Sequence, residues 1–264
     1  MRAEASVAAP ATPADLAVDA VYVLSVKSFA QRIAHIEREM GRHGIAFEFV
    51  FEHDADELDE RLIAARFGPG ALKKSQQSLV LKHIRAWRRA QAANLRRILV
   101  FEDDVVLAPD FAVRLGEALR AANALPSGYL VFLGGADTKV PDRYFLAPGP
   151  LVELPIATAE AYVTDREAMR RRLAWLESNK VTLPADHLLK QLDASLAIKQ
   201  YWLTRPIVEQ GSVLGIFPSV LDEHRQKHSA LFNRWRNRWN KFQRHRLRRW
   251  LVRIKSKAVK VKAQ

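Results

Sequence analysis

The 264-residue sequence contains no cysteine, which excludes disulfide staples, thiolate metal sites and cysteine nucleophiles, and leaves nothing that points to an oxidising compartment. It also lacks any run of 18 apolar residues, so no segment reads as a helix that crosses a bilayer. Residues 1–18, MRAEASVAAPATPADLAV, are rich in Ala and Pro and carry Glu4 and Asp15 where a secretory leader would have an unbroken apolar core. They read as a disordered arm. Acid is missing from the C-terminal end: no Asp or Glu follows Glu223, whereas 15 Lys and Arg lie between Arg225 and Lys262. The rest of the chain holds 27 basic against 29 acidic residues, so the tail alone makes the formal charge +13. Binding to a membrane or nucleic acid is therefore expected of the tail, and chemistry of the body. The expected setting is the cytoplasm, with any membrane contact peripheral, on the inner face of the cytoplasmic membrane.

What is present is an ordinary globular composition, 48% hydrophobic and 27% charged, enough for one sizeable core without staples. Short apolar runs alternate with helical patterns. AVYVLSV (20–26) has the continuous apolarity of a strand buried on both faces. Ser28 and Gln31 make a capping box for a helix carrying Phe29, Ile33, Ile36 and Met40. FEFVF (47–51) reads as a second strand, residues 57–67 as a helix, and Ser75 to Asn94 as a long helix with Leu79, His83, Trp87 and Ala90 on one face. RILVF (97–101) and YLVFLGG (129–135) are further buried strands, with a helix between them from Pro109 to Ala124. Beyond lie a strand at Leu151 to Ile156, helices at Asp165 to Glu177 and Asp186 to Leu192, and extended pieces from Ile198 to Val208. This alternation predicts an α/β layered, largely parallel sheet.

The sharpest chemical feature is the triplet Glu102-Asp103-Asp104, three carboxylates directly after an apolar strand with no Lys or Arg among them. Ligands of open α/β sheets bind beyond the carboxyl ends of the strands, where this triplet falls. Carboxylates there suit a hard divalent cation, Mg²⁺ or Mn²⁺, shared with the phosphates of a nucleotide. The alternative for the triplet alone is a solvated acidic turn.

In order and spacing, VYVLSVKSFAQRIAHI, SLVLKHIRAW, RILVFEDDVVLAPDF, LVFLGG, ATAEAYVTDREAM and LPADHLL resemble glycosyltransferase family 25, the lipooligosaccharide-type transferases. The resemblance runs over about residues 20–215. It implies a GT-A-like fold, a Rossmann-type sheet flanked by helices, a nucleotide-sugar donor, often UDP-galactose, commonly Mn²⁺, and inversion at the sugar carbon. It also implies roles. Asp104 is the first choice for metal ligand, with Glu102 or Asp103 on donor ribose or metal-bound water. Leu24 and Ser25 lie where the donor base is expected, and Arg32, a further donor-site residue, matches an arginine in the helix after them. His83 matches the histidine of a Ser-His pair, although Lys82 precedes it and Gln76 stands where a glutamate is usual. Ala161, Tyr162 and Val163 match a segment near the acceptor. Asp186 is the first candidate for general base and Glu160 the second. Gln210 and Ser212 close the donor site, and His224 and His228 are candidate late metal ligands. On residue chemistry alone, a hydrogen-bonded core histidine is the commoner outcome for His83, and only the resemblance puts a donor-site role ahead; Asp186 reads also as a helix N-cap.

In the tail, Phe232, Trp235, Trp239, Phe242, Leu247, Trp250, Leu251 and Ile254 recur at three- and four-residue steps among Arg and Lys. That is the pattern of a basic amphipathic helix lying on an anionic membrane. Nucleic acid, for which Arg interleaved with Trp is also suited, ranks second. The expected organisation is an arm (1–18), a GT-A-like domain (19–222) and a basic tail (223–264). The expected function is transfer of a sugar to a glycolipid acceptor; a metal-dependent phosphohydrolase or nuclease, and a nucleic-acid-binding protein with no enzymatic role, are the alternatives.

Overall fold

The computed structural model describes residues 16–70, 72–134, 149–155, 157–212 and 214–217, together with Trp250 and Ile254. Among these, a seven-stranded sheet forms the centre: β1 (Ala20–Leu24), β2 (Glu48–Val50), β3 (Arg97–Glu102), β5 (Tyr129–Phe132), β6 (Leu151–Glu153), β7 (Ala161–Asp165) and β8 (Lys199–Leu203), in the order β2-β1-β3-β7-β5-β8-β6. A two-stranded antiparallel ribbon pairs β4 (Val105–Leu107) with β9 (Val208–Gln210). The helices are α1 (Ala30–Arg42), α2 (Glu60–Arg66), α3 (Lys74–Ala92), α4 (Phe111–Ala122), α5 (Arg166–Ser178) and α6 (Ala185–Ser195).

The central strands are apolar throughout because both faces are covered. Alternate residues of β1 and β3 enter two separate clusters. Tyr22, Leu24, Ile98 and Val100 pack with Val80, Ile84 and Trp87 of α3, Met169 and Leu173 of α5, and Leu188 and Leu189 of α6. Val21, Val23, Leu99 and Phe101 pack with Ile36 and Met40 of α1, Leu115 and Leu119 of α4, and the ribbon. The period-two alternation of the strand thus builds a three-layer sandwich. Leu16 and Val18 are buried in the second cluster, so the packed body reaches back into the segment expected to be a free arm.

The sheet is mixed. Five of its seven strands share one direction, but β7 runs antiparallel between β3 and β5, and β6 antiparallel against β8, so only three of the six pairings are parallel. Strand direction is a tertiary property with no signature in a buried apolar run. Helix α1 also differs from expectation at its start: its N-cap is Phe29, without a side-chain cap bond, so the Ser28–Gln31 capping box does not form. At α5 the capping is as residue chemistry dictates, Asp165 accepting from Ala168 N at 3.0 Å. A buried ion pair ties α5 to α6: Arg172 meets both oxygens of Asp193 at 2.7 Å, with Thr164 and Gln200 completing their hydrogen bonds.

The chain leaves β1 to form β2 on one side of it and returns to form β3 on the other. The order of the sheet therefore reverses between β1 and β3, and the crevice beyond their carboxyl ends is the position this class of sheet uses for ligands. Leu24 and Glu102, the last residues of the two strands, are register partners.

Candidate active site

The acidic triplet forms the end of β3 and the tight turn into β4. Its three carboxylates have three different surroundings. Asp103 is buried, and both its oxygens are engaged: Oδ2 accepts from Ser25 Oγ at 2.9 Å and Oδ1 from Arg32 Nη1 at 2.6 Å. Burial pushes its carboxyl up, an effect that Arg32 and Ser25 oppose. Asp104 is also buried; its Oδ2 accepts from Ser212 N at 3.1 Å, while its Oδ1 has no hydrogen-bond partner among the described residues. Glu102 is pushed well above the usual carboxylate range, first by desolvation and then by the charges of Asp104, Glu160, Asp103 and Asp186. Four carboxylates acting on a fifth describe a pocket of concentrated negative charge, in which both oxygens of Asp103 are held by Ser25 and Arg32.

That arrangement fits a divalent cation. A buried, unpartnered carboxylate oxygen is costly, and a cation at Asp104 Oδ1 would remove that cost and the mutual repulsion together. No group of three His, Asp or Glu among the described residues forms a complete metal cage. A cation that keeps waters and takes one or two carboxylates plus substrate phosphates does not require one.

The loops around the turn are locked from both sides. From the β1 side, Lys27 N donates to Asp54 Oδ2 at 2.9 Å, and the buried Lys82 ammonium meets Asp54 Oδ1 at 2.6 Å and the carbonyls of Phe51 and Glu52. Lys82, where the family pattern has serine, is therefore a strut under the loops after β1 and β2. Gln76 is equally structural: its Oε1 accepts from Lys73 N and caps α3. From the β9 side, Gly211 N donates to Asp104 O at 2.5 Å. A side chain at Gly211 would stand 2.8 Å from that carbonyl and 3.0 Å from the Phe217 ring. Phe217 in turn lies 5.4 Å from the Arg32 guanidinium and edge-on to His35, whose Nε2 is 2.9 Å from Val105 O. Gly211, Phe217 and His35 were not legible as site residues; only the fold brings position 217 beside position 32.

The other expected site residues divide. Leu24 ends β1 beside Glu102 and Ser25 follows it, and Ser25 and Arg32 both bond Asp103. Gln210 ends β9, opposite Val105, and Ser212 contributes its backbone N–H. Glu160 is buried beside Gly134, where a methyl group would collide with its Oε1, and its carbonyl accepts from Glu102 N at 2.9 Å. Asp186 lies in the first turn of α6 and accepts from His187 N at 2.8 Å; the N-cap is Pro184, so Asp186 is not the cap its sequence position allowed. His83 is a core residue: its Nδ1 is 3.0 Å from the Tyr162 hydroxyl, which also accepts from Trp87 Nε1, and desolvation, then Arg172, lowers it to about 3. His224 and His228 lie outside the described residues, as do all the tail positions above except Trp250 and Ile254, both exposed.

Residues 18–133, which span β1, β2, β3 and the acidic turn, match the family model "Glycosyltransferase family 25 (LPS biosynthesis protein)". Over this stretch the chain is similar to family 25. The Neisseria meningitidis serogroup B protein "Lacto-N-neotetraose biosynthesis glycosyltransferase LgtB" is 32% identical over 176 residues, covering 56% of this chain and 58% of its own. "Lipooligosaccharide biosynthesis protein lic2B" of Haemophilus influenzae is 26% identical over 180 residues, covering 64% and 66%. The chain thus spans under two thirds of the length of these relatives. A solved glycosyltransferase "involved in the glycosylation of the major capsid of PBCV-1" aligns over 83% of this chain and 99% of its own at 11% identity and a TM-score of 0.39, too loose a match to inform the site.

Proposed function

We propose that this protein is an inverting glycosyltransferase that moves a sugar, galactose as the first choice, from a UDP-sugar to a glycan acceptor of the lipooligosaccharide type. The observation that carries the reading is Asp104 Oδ1: a buried carboxylate oxygen with no hydrogen-bond partner among the described residues, at the switch point of the sheet and inside the stretch that matches family 25. A divalent metal, Mn²⁺ or Mg²⁺, when bound, would neutralise the donor diphosphate. Asp104 and Glu102 would hold it, and Asp103, fixed by Ser25 and Arg32, keeps the turn in shape. Arg32 also places positive charge at the crevice wall.

Transfer requires the acceptor hydroxyl oxygen to bond to the anomeric carbon as the bond to the diphosphate oxygen breaks, with the hydroxyl proton passing to a base. Asp186 suits that role better than Glu160. It is partly exposed at the head of α6 and close enough to raise Glu102 by its charge, whereas Glu160 is buried against Gly134. The basic tail would bring the enzyme to the membrane that carries such an acceptor.

The test is UDP release from UDP-galactose with and without a lipooligosaccharide-derived glycan. Acceptor-dependent release with a β-linked product is expected, and Asp186→Asn should lower turnover about 10²- to 10⁴-fold at little cost in donor affinity. Cleavage of phosphodiesters without UDP release would replace this reading with the phosphohydrolase or nuclease one.

A further inference from the structure

Three arginines share one cleft away from the acidic turn. Between α2, α3 and the end of α5 lies an opening of about 190 Å³ whose floor is Leu62, Leu81, Ile84 and Leu176 and whose rim is Arg66, Arg85, Arg88 and His53. Among the described residues no carboxylate lines it. The acids nearest in effect are already used or remote from the rim: Glu52 is bound by Arg85 and Arg89, and Glu177 acts on Arg88 through space alone. Among the described residues Arg88 has no hydrogen-bond or ion-pair partner, and the one hydrogen bond of Arg66 is a long one, 3.4 Å, to Leu176 O. Burial lowers Arg88, and the charges of Arg66 and Arg85 lower it further, so the guanidinium groups are near enough to repel one another.

His53 adds a fourth donor. It has φ of 69°, a left-handed backbone that a non-glycine residue adopts at some cost, and its carbonyl is held there by Ser78 Oγ at 2.6 Å. Desolvation, reinforced by Lys82, Arg85 and Arg88 against the opposing charge of Glu52, lowers the ring, which is therefore neutral and keeps one N–H to donate.

We propose that this cleft binds an alkyl phosphate, the phosphate on the Arg66–Arg85–Arg88 rim and the first carbons of the chain on the Leu62–Leu81–Ile84–Leu176 floor. Both halves of the ligand are needed to use the site. Planar guanidinium forks match phosphate oxygens, and a bare anion would leave the leucine floor unused. A nucleic-acid phosphodiester presents sugar hydroxyls and ring edges to that floor, a poorer match. The inference does not depend on the proposed transferase activity, because none of these residues belongs to the acidic turn.

The experiment is calorimetric titration of the full chain with octyl phosphate below its micelle concentration, with inorganic phosphate and octyl glucoside as the separated halves. Octyl phosphate should bind at least about tenfold more tightly than either, and Arg88→Gln should weaken it by about tenfold, the worth of one charge-assisted contact. Arg120→Gln, on the exposed side of α4, should change nothing, and UDP binding should be the same in both variants. Equal affinity for octyl phosphate and octyl glucoside, or for octyl phosphate and inorganic phosphate, would overturn the proposal. So would an Arg88→Gln variant that binds octyl phosphate normally, or an RNA oligomer that displaces octyl phosphate from the cleft.

Discussion

At the scale of single residues, the charged and titratable side chains of this body are sorted by whether the fold gives them a partner. Lys82 and Asp54 are both buried and meet at 2.6 Å, and Arg172 and Asp193 do the same at 2.7 Å. Removing one member of either pair would leave the other charged and dry, which is destabilising by several kcal/mol. His83 is buried in its neutral form. Its folded pKa, lowered to about 3, lies below that of the unfolded chain, so the unfolded state takes up a proton first as pH falls. Its contribution is intact above pH 6.5 and is lost progressively towards pH 3, at about 1.4 kcal/mol per pH unit. Denaturant titrations across that window should therefore show a slope one proton smaller for His83→Gln than for the parent protein. An unchanged slope would mean that His83 is solvated and free to serve the donor site.

Elements show what a sequence carries and what it does not. The helices were legible because amphipathic periodicity is local: the α3, α5 and α6 expectations fall within a few residues of the observed bounds. The strands β1, β3 and β5 were legible from apolar runs, and so was the place of the acidic triplet at the end of β3. The ribbon of β4 and β9 was not. Each is three residues long, too short for an alternating pattern, and it exists because two segments about a hundred residues apart meet. Asp103 was legible as acidic, but its bonds to Ser25 and Arg32 span 78 and 71 residues, so its role as an internal fastener was hidden. The segment after β9 is the least legible part of the site and the most easily tested. Gly211→Ala forces a methyl group against Asp104 O and the Phe217 ring. It should cost about 1–3 kcal/mol of stability, as overpacking does, and weaken UDP binding by displacing Ser212 N from Asp104. Gly70→Ala, where nothing lies within 4 Å, should do neither. A Gly211→Ala protein with the parent melting temperature and UDP affinity would show that this contact is dispensable.

For the whole molecule, charge is the organising variable. The body concentrates negative charge at one crevice, and the sequence beyond Glu223 adds only positive charge. Removing residues 224–264 should leave UDP binding unchanged within about twofold while abolishing association with anionic vesicles. In the full chain, salt should weaken vesicle binding only in part, since Debye screening acts on the Lys and Arg and not on the Trp and Phe. Co-sedimentation with phosphatidylglycerol vesicles at low and high salt measures both. A truncated protein that fails to fold would assign the tail to the core, and a full chain that ignores vesicles yet retains RNA at physiological salt would assign it to nucleic acid.

The central claim is that the turn after β3 is a cation and diphosphate site with Asp104 as its principal ligand. Titration of UDP by calorimetry with Mn²⁺, with Mg²⁺ and with a chelator, in the parent protein and in Asp104→Ala, addresses it most directly. UDP should bind the parent in a metal-dependent manner, and Asp104→Ala should retain a cooperative melting transition while losing that dependence, with affinity falling by at least about tenfold. Metal-dependent binding of equal strength in Asp104→Ala, or binding by the parent that a chelator leaves untouched, would contradict it.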